Sequence, residues 1–306
     1  MRNLLWCGVL TMFSVAASAA LPPVKVEKIN DRVYALLGPV GLPDKKNDGY
    51  MVNSTVIIGD AGVILIDTGF TDEIGKHLAK TIATLTPKPV THIINTHHHG
   101  DHTLGNIAFP GAQVISAEEC KKLVETTGYD WIDIIQNVLE KKFPNTKPVS
   151  ATVTIPDGGN VERVINGIKL RLIVPQGSHT PGDLLVYLPD AKLLVAGDIL
   201  VQHMAPSFRD AHVKHWIDSL ADIEKMDVKN IVPGHGPLMN LASVKAMRER
   251  MAALYAAVEA GYKKGLTDSE IRKTLDLREW TKMVNYDELM GGNINRTFLE
   301  VEQANF

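Results

Sequence analysis

Residues 92–106 read HIINTHHHGDHTLGN: an apolar run breaks into four histidines and one aspartate within six positions. This stretch constrains the fold more than any other. Titratable groups at the end of a buried strand are either solvated on a turn or engaged with something, because polar groups buried without partners cost free energy. His97 and His99 are two apart, so on an extended segment they project to the same side and His98 to the other. Gly100 permits a tight turn, after which Asp101 and His102 face a neighbouring position. One loop can thus offer two donors to each of two adjacent cations. Neutral imidazole nitrogens and carboxylate oxygens suit borderline ions such as Zn2+. Closing either site needs more donors, so further His or Asp residues are expected at other strand ends.

They occur. His179 lies in PQGSHTPGD after RLIVP, Asp198 ends LLVAGD, and His235 lies in VPGHGP after NIV. Each is a polar residue following an apolar run and bounded by Gly or Pro. One such histidine is ordinarily a hydrogen-bonded loop residue; the recurrence of the same context beside the cluster favours a metal site. The ordered series H-x-H-x-D-H, distant His, A-G-D, P-G-H-G resembles the metallo-β-lactamase superfamily from about Val33 to Pro237. The resemblance implies His97, His99 and His179 on a first metal and Asp101, His102 and His235 on a second, with Asp198 bridging both. It implies two Zn2+, with iron or manganese as the alternatives, and gives Asp101 the role of carrying a proton to a metal-bound hydroxide. Asp67 in LIDTG matches a recurring position of that family; it either orients a ligand histidine or closes an Asx-turn. His98, His203, His212 and His215 are not expected to be ligands.

The rest of the chain fits an α/β architecture. Short β-like pieces (VKVEKI, RVYALL) and apolar strands (NSTVIIG, GVILIDTG) precede a helix over 72–85, which Pro87 and Pro89 end. A strand around QVIS, helices over about 117–142 and a β stretch over 153–174 follow. LLVYLPDAKLLVAGD reads as a hairpin turning at Pro189-Asp190. After a helix over 212–226 and the strand NIV, the chain is helical beyond about 240. This order predicts two mixed β-sheets packed face to face and flanked by helices, the four-layer αβ/βα sandwich that the resemblance implies, as one domain over 21–306 with a helical C-terminal extension.

Residues 1–20 have Arg2 in front, an apolar stretch from Leu4 to Val15 and an A-x-A arrangement at Ala17 and Ala19, the pattern of a cleaved secretory signal. The expectation is a periplasmic or secreted protein without a stable membrane anchor. Its remaining cysteine, Cys120, would be a packed helix residue with no disulfide. The net charge of -3 and the lack of a basic run argue against a nucleic-acid partner and leave a small-molecule substrate.

Superfamily β-lactamases commonly carry Cys or Ser where this chain has Asp198, so the resemblance points to the glyoxalase II and lactonase branches. An export signal fits an intracellular thioesterase poorly. The expected activity is hydrolysis of an ester, lactone or amide, β-lactams included. A mononuclear iron enzyme similar to persulfide dioxygenases, a phospho- or sulfo-esterase of the same fold, and a non-catalytic metal carrier are the alternatives. The loop GPVGLPDKKNDGYM, with Lys45, Lys46 and Tyr50, and the segment VQHMAPSFRD, with Phe208 and Arg209, are expected to line the substrate cleft.

Overall fold

The computed structural model describes residues 21–305; the signal-peptide expectation falls on residues 1–20, outside the described residues. Seven strands pair in chain order to form the first sheet: β1 (Lys25–Lys28), β2 (Val33–Leu37), β3 (Ser54–Ile58), β4 (Val63–Ile66), β5 (Val90–Ile94), β6 (Gln113–Ala117) and β7 (Val153–Ile155). The chain then crosses to a five-stranded sheet built from β8 (Asn160–Ile165), β9 (Ile168–Ile173), β10 (Leu185–Leu188), β11 (Leu193–Val195) and β12 (Asn230–Val232), in spatial order 12-11-10-9-8. The helices are α1 (Asp72–Leu85), α2 (Gly100–Thr103), α3 (Glu118–Leu139), α4 (Val213–Ile223), α5 (Leu241–Tyr262), α6 (Asp268–Arg272) and α7 (Tyr286–Ala304).

The period-2 alternation of each strand sorts its side chains between layers. On β4, Ile64 and Ile66 face the second sheet and pack with Leu172, Val186 and Val195. Val63 and Leu65 face outward onto Leu78 and Ile82 of α1 and Ile135 of α3. On β11 the inner residues Leu193 and Val195 flank Leu194, which packs outward with Trp216 of α4 and Met251 of α5. Strands buried on both faces read as continuous apolar runs, hence VILI. The result is the expected four-layer αβ/βα sandwich of two mixed β-sheets.

Strand direction gathers the site. β4 runs parallel to β5, and β11 parallel to β12; β9 and β11 are both antiparallel to β10 and so parallel to each other. The segments carrying Asp67, the histidine cluster, His179, Asp198 and His235 follow the C-terminal ends of these strands. The helical C-terminal segment is fastened by Glu300 of α7, whose carboxylate accepts from the backbone N–H groups of Val213 (2.6 Å) and Lys214 (2.9 Å) at the start of α4. A carboxylate there satisfies orphan amides and complements the helix dipole. Three details differ from the sequence reading. A single helix, α3, spans the stretch read as several; the 153–174 stretch is three strands divided between the two sheets; and α6 and α7 are separated by an irregular segment. Cys120 is fully buried on α3, where burial pushes its thiol up to about 12.

Candidate metal centre

His97, His99, His179 and Asp198 each present one donor atom within 4.8 Å of the others, and so do Asp101, His102 and His235. In the first group the imidazole rings form a triangle with centroid separations of 4.6, 4.9 and 4.9 Å. His99 Nδ1 and His179 Nε2 are 3.2 Å apart. In the second, Asp101 Oδ2 lies 3.4 Å from His102 Nε2 and 3.2 Å from His235 Nε2. Asp198 serves both groups: Oδ1 is 3.3 Å from His102 Nε2 and from His235 Nε2, and Oδ2 is 3.6 Å from His179 Nε2.

These residues fit cations. Donors on a tetrahedral ion with bonds of 2.0–2.1 Å lie roughly 3.4 Å apart, close to the separations above. His97 Nε2, His102 Nε2 and Asp198 Oδ1 are buried with no hydrogen-bond partner. Buried polar atoms are normally satisfied, so orphans converging from separate loops mark a place for a ligand atom outside the polypeptide.

The electrostatics agree. Burial alone would lower the pKa of His235, but Asp198 and Asp101 outweigh it and raise the value to about 10. His102 is raised likewise against its own burial. Burial would raise the two carboxylates, yet the facing imidazoles hold both well below the usual range. The pocket thus calls for positive charge between Asp101 and Asp198, which protons or cations can supply. His97 and His179 are shifted the other way, His179 to about 3, because burial dominates there and neighbouring histidines add to it. They are held neutral, the form that donates to a metal.

Three of these imidazoles are each anchored through the nitrogen that faces away from the donor groups, which fixes the tautomer and raises the basicity. His102 Nδ1 bonds Asp67 Oδ2 at 2.8 Å, His99 Nε2 bonds Asp210 Oδ2 at 2.9 Å, and His235 Nδ1 bonds the Met51 carbonyl at 3.0 Å. Asp67 also accepts from the N–H (2.9 Å) and the hydroxyl (2.7 Å) of Thr96, tying the turn that carries the cluster to β4. It does so from a left-handed backbone (φ 57°), a conformation that costs a non-glycine residue about 1–3 kcal/mol and persists where surroundings fix it. Asn53 clamps the His235 loop, its amide donating to the carbonyls of Pro233 (2.9 Å) and Gly236 (2.8 Å).

Asp210, Asn53 and Met51 were missed from sequence. Asp210 stands beside the two residues chosen from VQHMAPSFRD, but nothing in a lone loop Asp distinguishes it from a solvated one. His98 belongs to neither of these two groups; with His99 and Asp210 it forms a third set whose donor atoms also lie within 4.8 Å of one another. His212 and His215 stack 3.6 Å apart, and His212 caps α4 by accepting from the His215 N–H.

Two residues expected to line the cleft do not reach one. Tyr50 is fully buried, its ring edge-on to His77 at 6.0 Å, because Gly49 (φ 78°) lays the loop against Ile135 and Leu139 of α3. Phe208 is fully buried between Trp216 and Trp280, and the Trp216 ring is in turn 5.2 Å from that of His179. Lys45 pairs with Glu140 just past α3, and Lys46 is exposed. Arg209 lies over the Trp131 ring at 4.9 Å, and that ring is 4.8 Å from His99.

Comparison with known proteins places this arrangement. The model of the metallo-beta-lactamase superfamily matches residues 47–235, and the chain belongs to that family of metal-dependent hydrolases. A type 2 metallo-beta-lactamase of Bacillus sp. (strain 170) is 26% identical over 192 residues, covering 60% of this chain and 66% of its own. A linear primary-alkylsulfatase of Pseudomonas sp. is 23% identical over 260 residues, covering 71% of this chain and 48% of its own. The chain therefore spans just under two thirds of the lactamase and about half of the sulfatase. Among solved structures, a metallo-beta-lactamase from Pontibacter korlensis superposes with a TM-score of 0.59 at 23% identity, over 75% of this chain and 99% of its own. The sec-alkylsulfatase Pisa1 from Pseudomonas sp. superposes with a TM-score of 0.71 at 19% identity, over 90% and 50%. These likenesses establish the fold.

Proposed function

We propose that this chain is an exported, binuclear zinc hydrolase that cleaves an ester, lactone or amide bond of a small molecule. The observation that carries the reading is the position of Asp198, whose two oxygens face the two donor groups separately. A structural or carrier site has no need of a carboxylate shared between two donor sets. Paired cations at such a site supply Lewis-acid polarisation and a water whose pKa is lowered toward ~7. The chain does the rest. Asp67, Asp210 and the Met51 carbonyl hold the ligand rings in one tautomer, and Asp101, wedged between His102 and His235, is placed to carry a proton to and from the reacting water. Asp198, His99 and Asp101 are the most open of the seven, with side chains 12%, 8% and 7% exposed, while His102 is wholly enclosed. Substrate therefore meets the centre on the side of Asp198. No helix among the described residues is long and apolar enough to cross a membrane.

Sulfate-ester hydrolysis is the second reading. The sec-alkylsulfatase likeness extends over more of the chain than the lactamase likeness, 90% against 75%, and an alkylsulfatase stands among the sequence relatives.

Elemental analysis of the purified protein, followed by a panel of esters, lactones, thioesters, β-lactams and alkyl sulfates, tests the proposal. Two zincs per chain and turnover abolished by chelation or by Asp198→Ala are expected. One iron per chain, or full activity after stripping the metal, would overturn it.

A further inference from the structure

His98, His99 and Asp210 each offer one donor atom within 4.8 Å of the others, the same closeness that marks the two groups of the metal centre. The His98 and His99 ring centroids are 4.7 Å apart, within the range found among His97, His99 and His179. Asp210 Oδ2 is 2.9 Å from His99 Nε2, while His99 Nδ1 is turned to His179 in the first group. His98 Nδ1 is buried with no hydrogen-bond partner among the described residues, and the whole residue is only 5% exposed. A buried ring nitrogen left without a partner has lost its hydration for no return. It marks a place for an atom outside the polypeptide, as the orphans of the first two groups do.

This third set opens to solvent on one side only. The Asp210 side chain is 33% exposed, and Asp210 and His98 both line a cavity of about 350 Å3 beside Trp131 and Ile134. Three side chains and one open position suit a tetrahedral ion that keeps a water. The charges are balanced, since Asp130 and Asp210 line this cavity together with Arg209 and Arg296. Arg296 turns its Nε to the Ala211 carbonyl at 2.8 Å. Arg209 Nε lies 3.9 Å from Asp210 Oδ2, so its charge opposes a cation bound there.

We infer that His98, His99 and Asp210 form a third divalent-cation site, for a borderline ion such as Zn2+, which fills after the two main groups. Two imidazoles and a carboxylate are a donor set for such ions. Its affinity is the weakest of the three for two reasons. Arg209 opposes the ion, and the ion must take the place of the proton that His99 Nε2 gives to Asp210. That proton leaves to solvent. His99 then stands between two cations, Nδ1 on the first group and Nε2 on the third, so an excess of metal changes a ligand of the first group. The inference stands on donor geometry and holds whatever bond the enzyme cleaves.

The test counts ions and needs no turnover. Metal-free full-length protein is dialysed to equilibrium against a rising series of buffered free Zn2+, and bound zinc per chain is read by elemental analysis. Two ions are expected to bind first, and a third in a separate step at higher free zinc. His98→Gln should keep the first two and lose the third, and the retained pair shows that the variant folds. Arg209→Gln should hold the third ion about twofold to fivefold more tightly, the worth of one partly exposed charge pair. His215→Ala, which removes one ring of the exposed stack of His212 and His215, should leave all three steps intact. Saturation at two ions in the unaltered chain, a third step that survives in His98→Gln, or one abolished by His215→Ala would overturn the inference.

Discussion

Replacing Asp210 with Asn should weaken one metal and spare the other. His99 directs Nδ1 at the first donor group, 3.2 Å from His179 Nε2, and so must donate through Nε2 to Asp210 Oδ2 at 2.9 Å. In Asp210→Asn the amide oxygen can still accept that proton, but without its charge; hydrogen bonds to ionised acceptors are about twice as strong as neutral ones. Loss of such a supporting partner typically costs 10–100-fold in metal affinity, about 1.4–2.7 kcal/mol. The loss should appear only in the His97/His99/His179 group, because Asp210 touches none of Asp101, His102 and His235. Asp67→Asn is the mirror experiment. Its target is His102, and because Asp67 also accepts two donors of Thr96, an amide NH2 must face at least one donor, so stability falls along with affinity at the second group. Zinc titration of the stripped proteins against a chromophoric chelator resolves the two affinities. An Asp210→Asn protein with both affinities unchanged, or with the loss at the second group, would refute the assignment of ligands and of their supports.

Gly234→Ala should reduce metal content below two per chain and lower stability, because the new methyl would collide with Asp198 Oδ1 and with the Gly197 backbone; full metal content, read by elemental analysis, would refute it. Asn53→Ala should lower stability by about 2–4 kcal/mol, read from denaturant melts, since it strips partners from the carbonyls of Pro233 and Gly236 and from the Gly38 N–H. Acid should destabilise the fold partly through His98. Burial lowers its pKa to about 3, against about 6.5 in the unfolded chain. The unfolded state therefore binds the proton first, and the stability from this residue, complete above pH ~6.5, is lost as pH falls from there toward ~3. His98→Gln should flatten the pH dependence of the unfolding free energy over that window, and an unchanged slope would show that the ring takes up its proton in the fold as readily as in the unfolded chain.

The candidate donor cluster was legible because its members carry their own context. An imidazole or carboxylate at the end of an apolar strand, bracketed by Gly or Pro, is rare enough that its recurrence at His179, Asp198 and His235 signals convergence. The run VILI marks a strand buried on both faces without saying which side chain faces which layer; the sandwich could be drawn before any coordinates because the order of the elements and the resemblance to the superfamily implied it. Asp210, Asn53 and the Met51 carbonyl carry no such mark. Each acts through a hydrogen bond to a segment far away in the chain, and a backbone carbonyl has no side-chain identity to read.

Tyr50 and Phe208 show the converse. Large aromatic residues in loops near a site invite a substrate role, yet inward or outward is set by what lies beneath the loop. Here that is α3 for the one and Trp216 and Trp280 for the other. By itself, then, the chain determined which residues could hold cations and which strand faces are apolar, because both follow from neighbours one to four positions away. Only tertiary structure decided which groups brace those donors and which aromatics are enclosed, because both depend on distances between residues dozens of positions apart.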